Sequence, residues 1–189
     1  HFKNLESVKF DKPNMIDLIE NLRSKGLYRF LISYFFFNNA VISIFAFASM
    51  FSAFLFGLTE SQILFLGIFI NLFGIIGCFI LGRYEDIIGS FKTVVICILG
   101  LMVVTFLLFW IKKVSLFWIL SLAIGFFIGP IQASSRSVLV KEIKAKNQLS
   151  AFGLYSMFGN ICSVLGPLLI GVIIDFSGSI RMGMLIIPI

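Results

Sequence analysis

Charge is scarce in this chain: of 189 residues, Asp, Glu, Lys and Arg together make up only 13%, against 59% hydrophobic. A soluble domain of this length could not hide so much apolar surface, so the composition points to an integral membrane protein. Histidine is reduced to His1 at the terminus, which removes most metal-centre and acid–base chemistry. The three cysteines, Cys78, Cys97 and Cys162, each lie inside an apolar run without C-x-x-C spacing. Small core residues are the simpler reading, and neither a disulfide framework nor a metal site is expected. No glycine-rich phosphate loop is present, Ser134 and Ser135 lack a histidine, and the neighbours Glu85 and Asp86 point apart on a helix. No catalytic residue and no cofactor are therefore expected. The net charge of +6 does not indicate nucleic acid, because the basic residues sit in short connections between apolar runs rather than on a polar, aromatic-bearing domain.

What is abundant is long uncharged sequence. A helix needs about 20 apolar residues to cross a hydrocarbon core of roughly 30 Å. Phe30 to Thr59, Gln62 to Leu81, Thr93 to Ile111, Val114 to about Val140 and Asn147 to Ile174 meet that length, and an incomplete sixth run starts at Met182. The fold expected is an all-α, polytopic membrane helix bundle with about six transmembrane helices, occupying residues 27–189. Residues 1–26 are polar and broken by Pro13 and Asn14. Met15, Ile16, Leu18, Ile19 and Leu22 recur there at helical spacing, as in a short amphipathic linker helix. A start at His1 and a stop at Ile189 inside an apolar run suggest a fragment.

Between the second and third spans lies an island of charge, Gly82-Arg83-Tyr84-Glu85-Asp86-Ile87-Ile88-Gly89-Ser90-Phe91-Lys92. It reads as a tight turn. A glycine ending a helix lets the chain turn with positive φ, and Asp86 ahead of the next helix is suited to cap its free N–H groups at the positive end of the dipole. Arg83 and Lys92 would anchor the turn at lipid headgroups. With the N-terminus cytoplasmic, all of the 15 Lys and Arg except Lys112, Lys113 and Arg181 fall on the inner side. That positive-inside bias makes the 82–92 loop cytoplasmic, and Trp110 and Trp118 flank the outer lysine pair as interfacial aromatics do.

Amides inside a membrane cost free energy unless they find partners. At about 1.5 Å per residue from the inner boundary, Asn39, Asn71, Gln132 and Asn160 each lie roughly 14–18 Å deep, close to the midplane. On helical spacing, Gly67, Asn71, Gly74 and Cys78 share a face of the second span. Gly125, Gly129, Gln132 and Arg136 share one of the fourth, and Gly153, Ser156, Asn160, Ser163 and Pro167 one of the fifth. Tyr34, Asn38, Asn39 and Ser43 make the first span polar at similar depth, whereas the third offers only Thr93, Cys97 and Thr105. Such faces either pack helices closely or line a watery path.

The spacing Gly82, Asp86, Gly89, Lys92 resembles the short cytoplasmic loop motif of the major facilitator superfamily. GFFIGPIQASSR at 125–136, AFGLYSMFGN at 151–160 and LGPLLIGVI at 165–173 extend the likeness. Residues 27–189 resemble the C-terminal half of the bacterial branch related to the fungal vacuolar amino-acid effluxers. The resemblance implies the second half of a twelve-helix fold, with the first, second, fourth and fifth helices facing a cavity and the third and sixth outside. It also implies a missing N-terminal six-helix half of the same chain, a bacterial inner membrane and a small polar solute such as an amino acid. Where that branch reads Tyr-Asn-Asp-Gly and Gly-Lys, this chain has Phe37-Asn38-Asn39-Ala40 and Gly159-Asn160. An acid and a base are thus both amides here, and Asn39 and Asn160 are expected to meet across the cavity.

The function expected is secondary transport by alternating access, with the lipid bilayer and the solute as partners. Asn38, Asn39, Asn71, Gln132, Arg136, Ser156 and Asn160 are the candidate substrate path. Gly82, Arg83, Asp86, Gly89 and Lys92 are the candidate gate loop, Asp86 holding the cytoplasmic side shut. The competing readings are a non-transporting receptor or assembly module whose polar residues only pack helices, and, weaker, a membrane enzyme.

Overall fold

A computed structural model of the chain describes residues 25–143 and 148–178. They form five helices: α1 (Lys25–Phe56), α2 (Glu60–Ile88), α3 (Ser90–Trp110), α4 (Val114–Glu142) and α5 (Gln148–Ser177). All five are long and apolar enough to cross a membrane, and among the described residues there is no strand. The amphipathic linker segment before Lys25 and the sixth run from Met182 lie outside the described residues.

The helix ends follow local chemistry. At the end of α1, Gly57 takes φ 64°, and the Leu58 N–H reaches back to the Ser52 carbonyl at 3.2 Å. This left-handed closure satisfies carbonyls that the helix leaves free. Thr59 then starts α2 with a capping box: its hydroxyl accepts from the Gln62 N–H while the Gln62 side chain accepts from the Thr59 N–H.

The charged island is not a loop. Helix α2 continues through Arg83, Tyr84, Glu85 and Asp86 to Ile88, and the single residue Gly89, at φ 92°, separates it from α3. Charge marks where a helix leaves hydrocarbon, not where it ends, so the expected boundary at Leu81 falls two turns early. The glycine that turns the chain is Gly89. Gly82 lies within the helix with open space around it.

Two packed sets make up the bundle. In the first, α4 lies along both α2 and α3; in the second, α1 lies along α5. The α2–α4 crossing is a glycine contact. A Cβ on Gly125 would strike the Ile70 carbonyl, one on Gly129 the Gly74 carbonyl, and one on Gly77 the Phe126 carbonyl. Pro130, inside α4, has no N–H to give the carbonyl four residues back, which is that of Phe126. That oxygen instead abuts Gly77, in the close backbone approach that small residues permit between membrane helices. On the other flank of α4, the Phe127 ring lies over Gly100 of α3.

The α1–α5 pair is built from aromatic and small residues. Tyr34 stacks on Tyr155 with centroids 4.0 Å apart. Gly166 brings the α5 backbone against Asn39 and Ser43, and Cys162 Sγ donates to the Phe35 carbonyl at 3.4 Å. In their most apolar stretches 39% of the residues of α3 and of α4 are buried, against 11% for α2 and 17% for α5. The outer surfaces of α2 and α5, including Leu64, Phe79 and Val164, are therefore open to lipid or to another set of helices.

Candidate functional site

Where α4 meets the α1–α5 pair, neutral polar side chains from three helices converge. Asn38, buried on α1, accepts through Oδ1 from Gln132 Nε2 of α4 at 3.5 Å. One turn along α4, Ser135 Oγ lies 3.0 Å from Tyr155 Oη of α5 and also donates to the Gln132 carbonyl at 3.0 Å. Gly159, lacking a side chain, admits the Tyr34 hydroxyl and the Asn38 amide beside the α5 backbone. Tyr34, Asn38, Gln132, Ser135 and Tyr155 thus form one cluster of hydroxyls and amides with no charge in it. Each can donate or accept.

The helical faces read from the sequence divide between the two expected roles. Gly74, Cys78, Gly125 and Gly129 are packing residues at the α2–α4 crossing. Asn71 stands at the edge of that face, exposed, with Nδ2 bonded to the Gly67 carbonyl at 2.8 Å. The face of α5 is open: Gly153, Ser156, Asn160 and Ser163 are all exposed. Asn160 has no side-chain hydrogen bond among the described residues, and Ser163 turns back onto the Asn160 carbonyl at 2.7 Å. Arg136, one turn beyond Gln132 on α4, is exposed and has no ion-pair partner among the described residues.

Asn39 belongs elsewhere. Its Nδ2 donates to the Phe35 carbonyl at 3.0 Å, and its Oδ1 is buried against Gly166 with no hydrogen-bond partner among the described residues. Adjacent helical residues point about 100° apart, so Asn38 faces the polar cluster and Asn39 a cavity of about 460 Å³ bordered by α1, α3, α4 and α5. The expected meeting of Asn39 with Asn160 does not occur in this arrangement. Depth along a helix puts both amides near the midplane, but it carries no information about direction around the axis.

At the Gly89 end of the bundle a second polar group forms around Glu85, which the sequence reading passed over in favour of Asp86. The Glu85 carboxylate accepts from Ser90 Oγ at the start of α3 and from Ser134 Oγ of α4, and Lys141 Nζ of α4 donates to Ser90 Oγ at 2.7 Å. Asp86 is exposed, and α3 begins at Gly89 with no side-chain cap, so the capping role expected of Asp86 is absent. Arg83 and Lys92 are exposed. Tyr155 and Ser135 were missed because serine and tyrosine in apolar helices give no periodic signal, and Glu85 because its neighbour Asp86 holds the motif position. The spacing of Gln132 and Ser135, three residues apart on one face, was the available clue.

The chain is 27% identical over 154 residues to a Bacillus subtilis (strain 168) protein described as an uncharacterized MFS-type transporter, YxiO. The match covers 82% of this chain and 36% of that protein, so the chain spans about a third of its relative's length. No solved structure matches. Residues 14–189 match the model of the family described as vacuole effluxer Atg22 like. With nearly the whole chain inside that match and five membrane-crossing helices carrying the polar residues described above, the chain belongs to the vacuole effluxer Atg22-like family.

Proposed function

We propose that this chain forms one half of a secondary transporter that passes a small polar solute, such as an amino acid, across a bacterial inner membrane by alternating access. The missing part is an N-terminal six-helix half of the same protein, which closes the opposite wall. The N-terminus is cytoplasmic and the Gly89 end of the bundle faces the cytoplasm, in keeping with the distribution of Lys and Arg. Asn38 and Gln132 belong to the solute path, with Arg136, Ser156 and Asn160 on its open flank and Asn71 at its margin.

The observation that carries this reading is the uncharged cluster of Tyr34, Asn38, Gln132, Ser135 and Tyr155 beside an open face bearing Ser156 and Asn160. Helix packing accounts for the glycine crossing of α2 and α4, which is complete without these groups. It does not account for Asn160, an amide with no side-chain hydrogen bond among the described residues, on a face left open. A neutral cluster suits a polar solute whose hydrogen bonds exchange with those already present.

The test is flux of a radiolabelled panel of the standard amino acids into proteoliposomes holding the full-length protein. Saturable flux that falls at least tenfold in Asn38→Ala and Gln132→Ala, with unchanged protein in the membrane, is expected. No saturable flux of any panel member would favour the receptor or assembly reading instead.

A further inference from the structure

The interior of this bundle is unevenly packed. Within the α2–α3–α4 set, backbones touch at Gly74, Gly77, Gly125 and Gly129, an aromatic ring covers Gly100, and the Glu85 group ties all three helices at one end. Within the α1–α5 pair, the Tyr34–Tyr155 stack and the Gly166 approach give similarly close contact. Two cavities lie between these sets. The larger, about 460 Å³, separates Asn39 and Ser43 of α1 and Gly166 of α5 from Leu101 and Thr105 of α3. The smaller, about 60 Å³, separates Ile44 and Ser52 of α1 from Leu66, Thr105 and Ser121 of the other three helices.

Atoms lining a void lose dispersion contacts on one side, so a boundary containing voids resists sliding less than a glycine-tight crossing. The side-chain hydrogen bonds that cross this boundary among the described residues are Gln132–Asn38, at 3.5 Å, and Ser135–Tyr155, at 3.0 Å. Both join groups that readily exchange partners. At the far end the Phe56 and Phe117 rings stack across it with centroids 4.1 Å apart, beside the turn at Gly57, one of the two chain connections between the sets.

We infer that α1 and α5 move as one body against the α2–α3–α4 slab, pivoting at the Phe56–Phe117 contact and exchanging the Gln132–Asn38 and Ser135–Tyr155 hydrogen bonds as they do so. This motion is internal to the half and separate from any rocking of one half against another. It needs no solute, so it stands or falls independently of the transport reading.

The experiment is spin-label distance measurement on the full-length protein in nanodiscs without added solute, in a Cys78→Ser background. Cys97 and Cys162 are fully buried; unlabelled-site controls check that they stay unmodified. Cysteines placed at exposed Lys92 and Val140 report within the slab, at Tyr28 and Leu149 within the pair, and at Lys92 and Leu149 across the boundary. The expected result is a narrow distribution for each of the first two pairs and a broad or two-peaked one for the third. The third should collapse to one narrow peak when Asn38→Cys and Gln132→Cys are cross-linked. A cross-boundary distribution as narrow as the other two overturns the inference, and so does a broad distribution inside either set.

Discussion

The Glu85 carboxylate of α2 accepts a hydrogen bond from Ser134 Oγ of α4, across 49 positions of sequence, while the neighbouring Asp86 is left exposed. Two adjacent acids therefore do different work. Glu85→Ala removes an acceptor shared by Ser90 and Ser134, and bonds to charged groups are worth about 1.5–3 kcal/mol each. Partial exposure of this carboxylate lowers its share, so a loss of about 1–2 kcal/mol is expected. Asp86→Asn should stay within about 0.5 kcal/mol of the parent. Thermal unfolding of the purified full-length variants in detergent checks both values, and equal losses would contradict the assignment.

Asp86 nevertheless occupies the motif position, and its effect is expected on conformation. If it engages another part of the full-length protein, Asp86→Asn weakens a contact made in one state only and shifts the balance between states. Labelling of single cysteines along the open face of α5 from the cytoplasmic side reads that shift. Unchanged labelling together with unchanged flux would leave Asp86 as a surface charge.

Gly77 and Gly82 stand less than two turns apart on α2 in opposite circumstances. A methyl at Gly77 meets the Phe126 carbonyl, whereas one at Gly82 meets nothing. Gly77→Ala should cost about 1–3 kcal/mol through forced separation of α2 and α4, and Gly82→Ala should gain about 0.5–1 kcal/mol from helix propensity. Unfolding midpoints of the two variants moving in the same direction would rule out the crossing as described.

Ser135 and Tyr155 share a buried hydrogen bond of 3.0 Å. A cycle of Ser135→Ala, Tyr155→Phe and the double variant should return a coupling of about 0.5–1.5 kcal/mol. The corresponding cycle of Asn39→Asp with Asn160→Lys is expected to be additive, because Asn39 Oδ1 packs against Gly166 with no hydrogen-bond partner among the described residues and Asn160 lies on the open face. Recovery of expression in that double variant would place the two residues together after all.

The crossings were legible in the sequence because hydrocarbon thickness sets a length that charges punctuate: Val114 starts the fourth span and α4 alike. What charge could not give was the end of α2, since a helix carries Arg83 to Asp86 beyond the hydrocarbon without unwinding. Depth along the axis was legible as well, and it singled out Asn39, Asn71, Gln132 and Asn160, of which Gln132 joins the polar cluster. Direction was not, because helices that are apolar nearly all round have no contrast from which to read a face. That is why Asn39 was grouped with its neighbour Asn38, which points elsewhere. Tyr155 with Ser135 and Glu85 with Ser134 are pairings of tertiary structure, and each member alone looks like a filler of its own helix.

The Gly89 junction has one last consequence, for the length of the chain. With a single residue between α2 and α3, the connection holds no slack that could absorb an insertion. One added residue in the first turn of α3 would rotate everything after it by about 100°, carrying Cys97, Leu101 and Leu108 off the buried side and the now exposed Ile96, Val103 and Leu107 onto it. The same insertion between Lys112 and Lys113, where three residues separate α3 from α4, has room to bulge outward. Tolerance to length change is thus expected to differ sharply between the two ends of α3, with the register of the whole slab fixed at the glycine end.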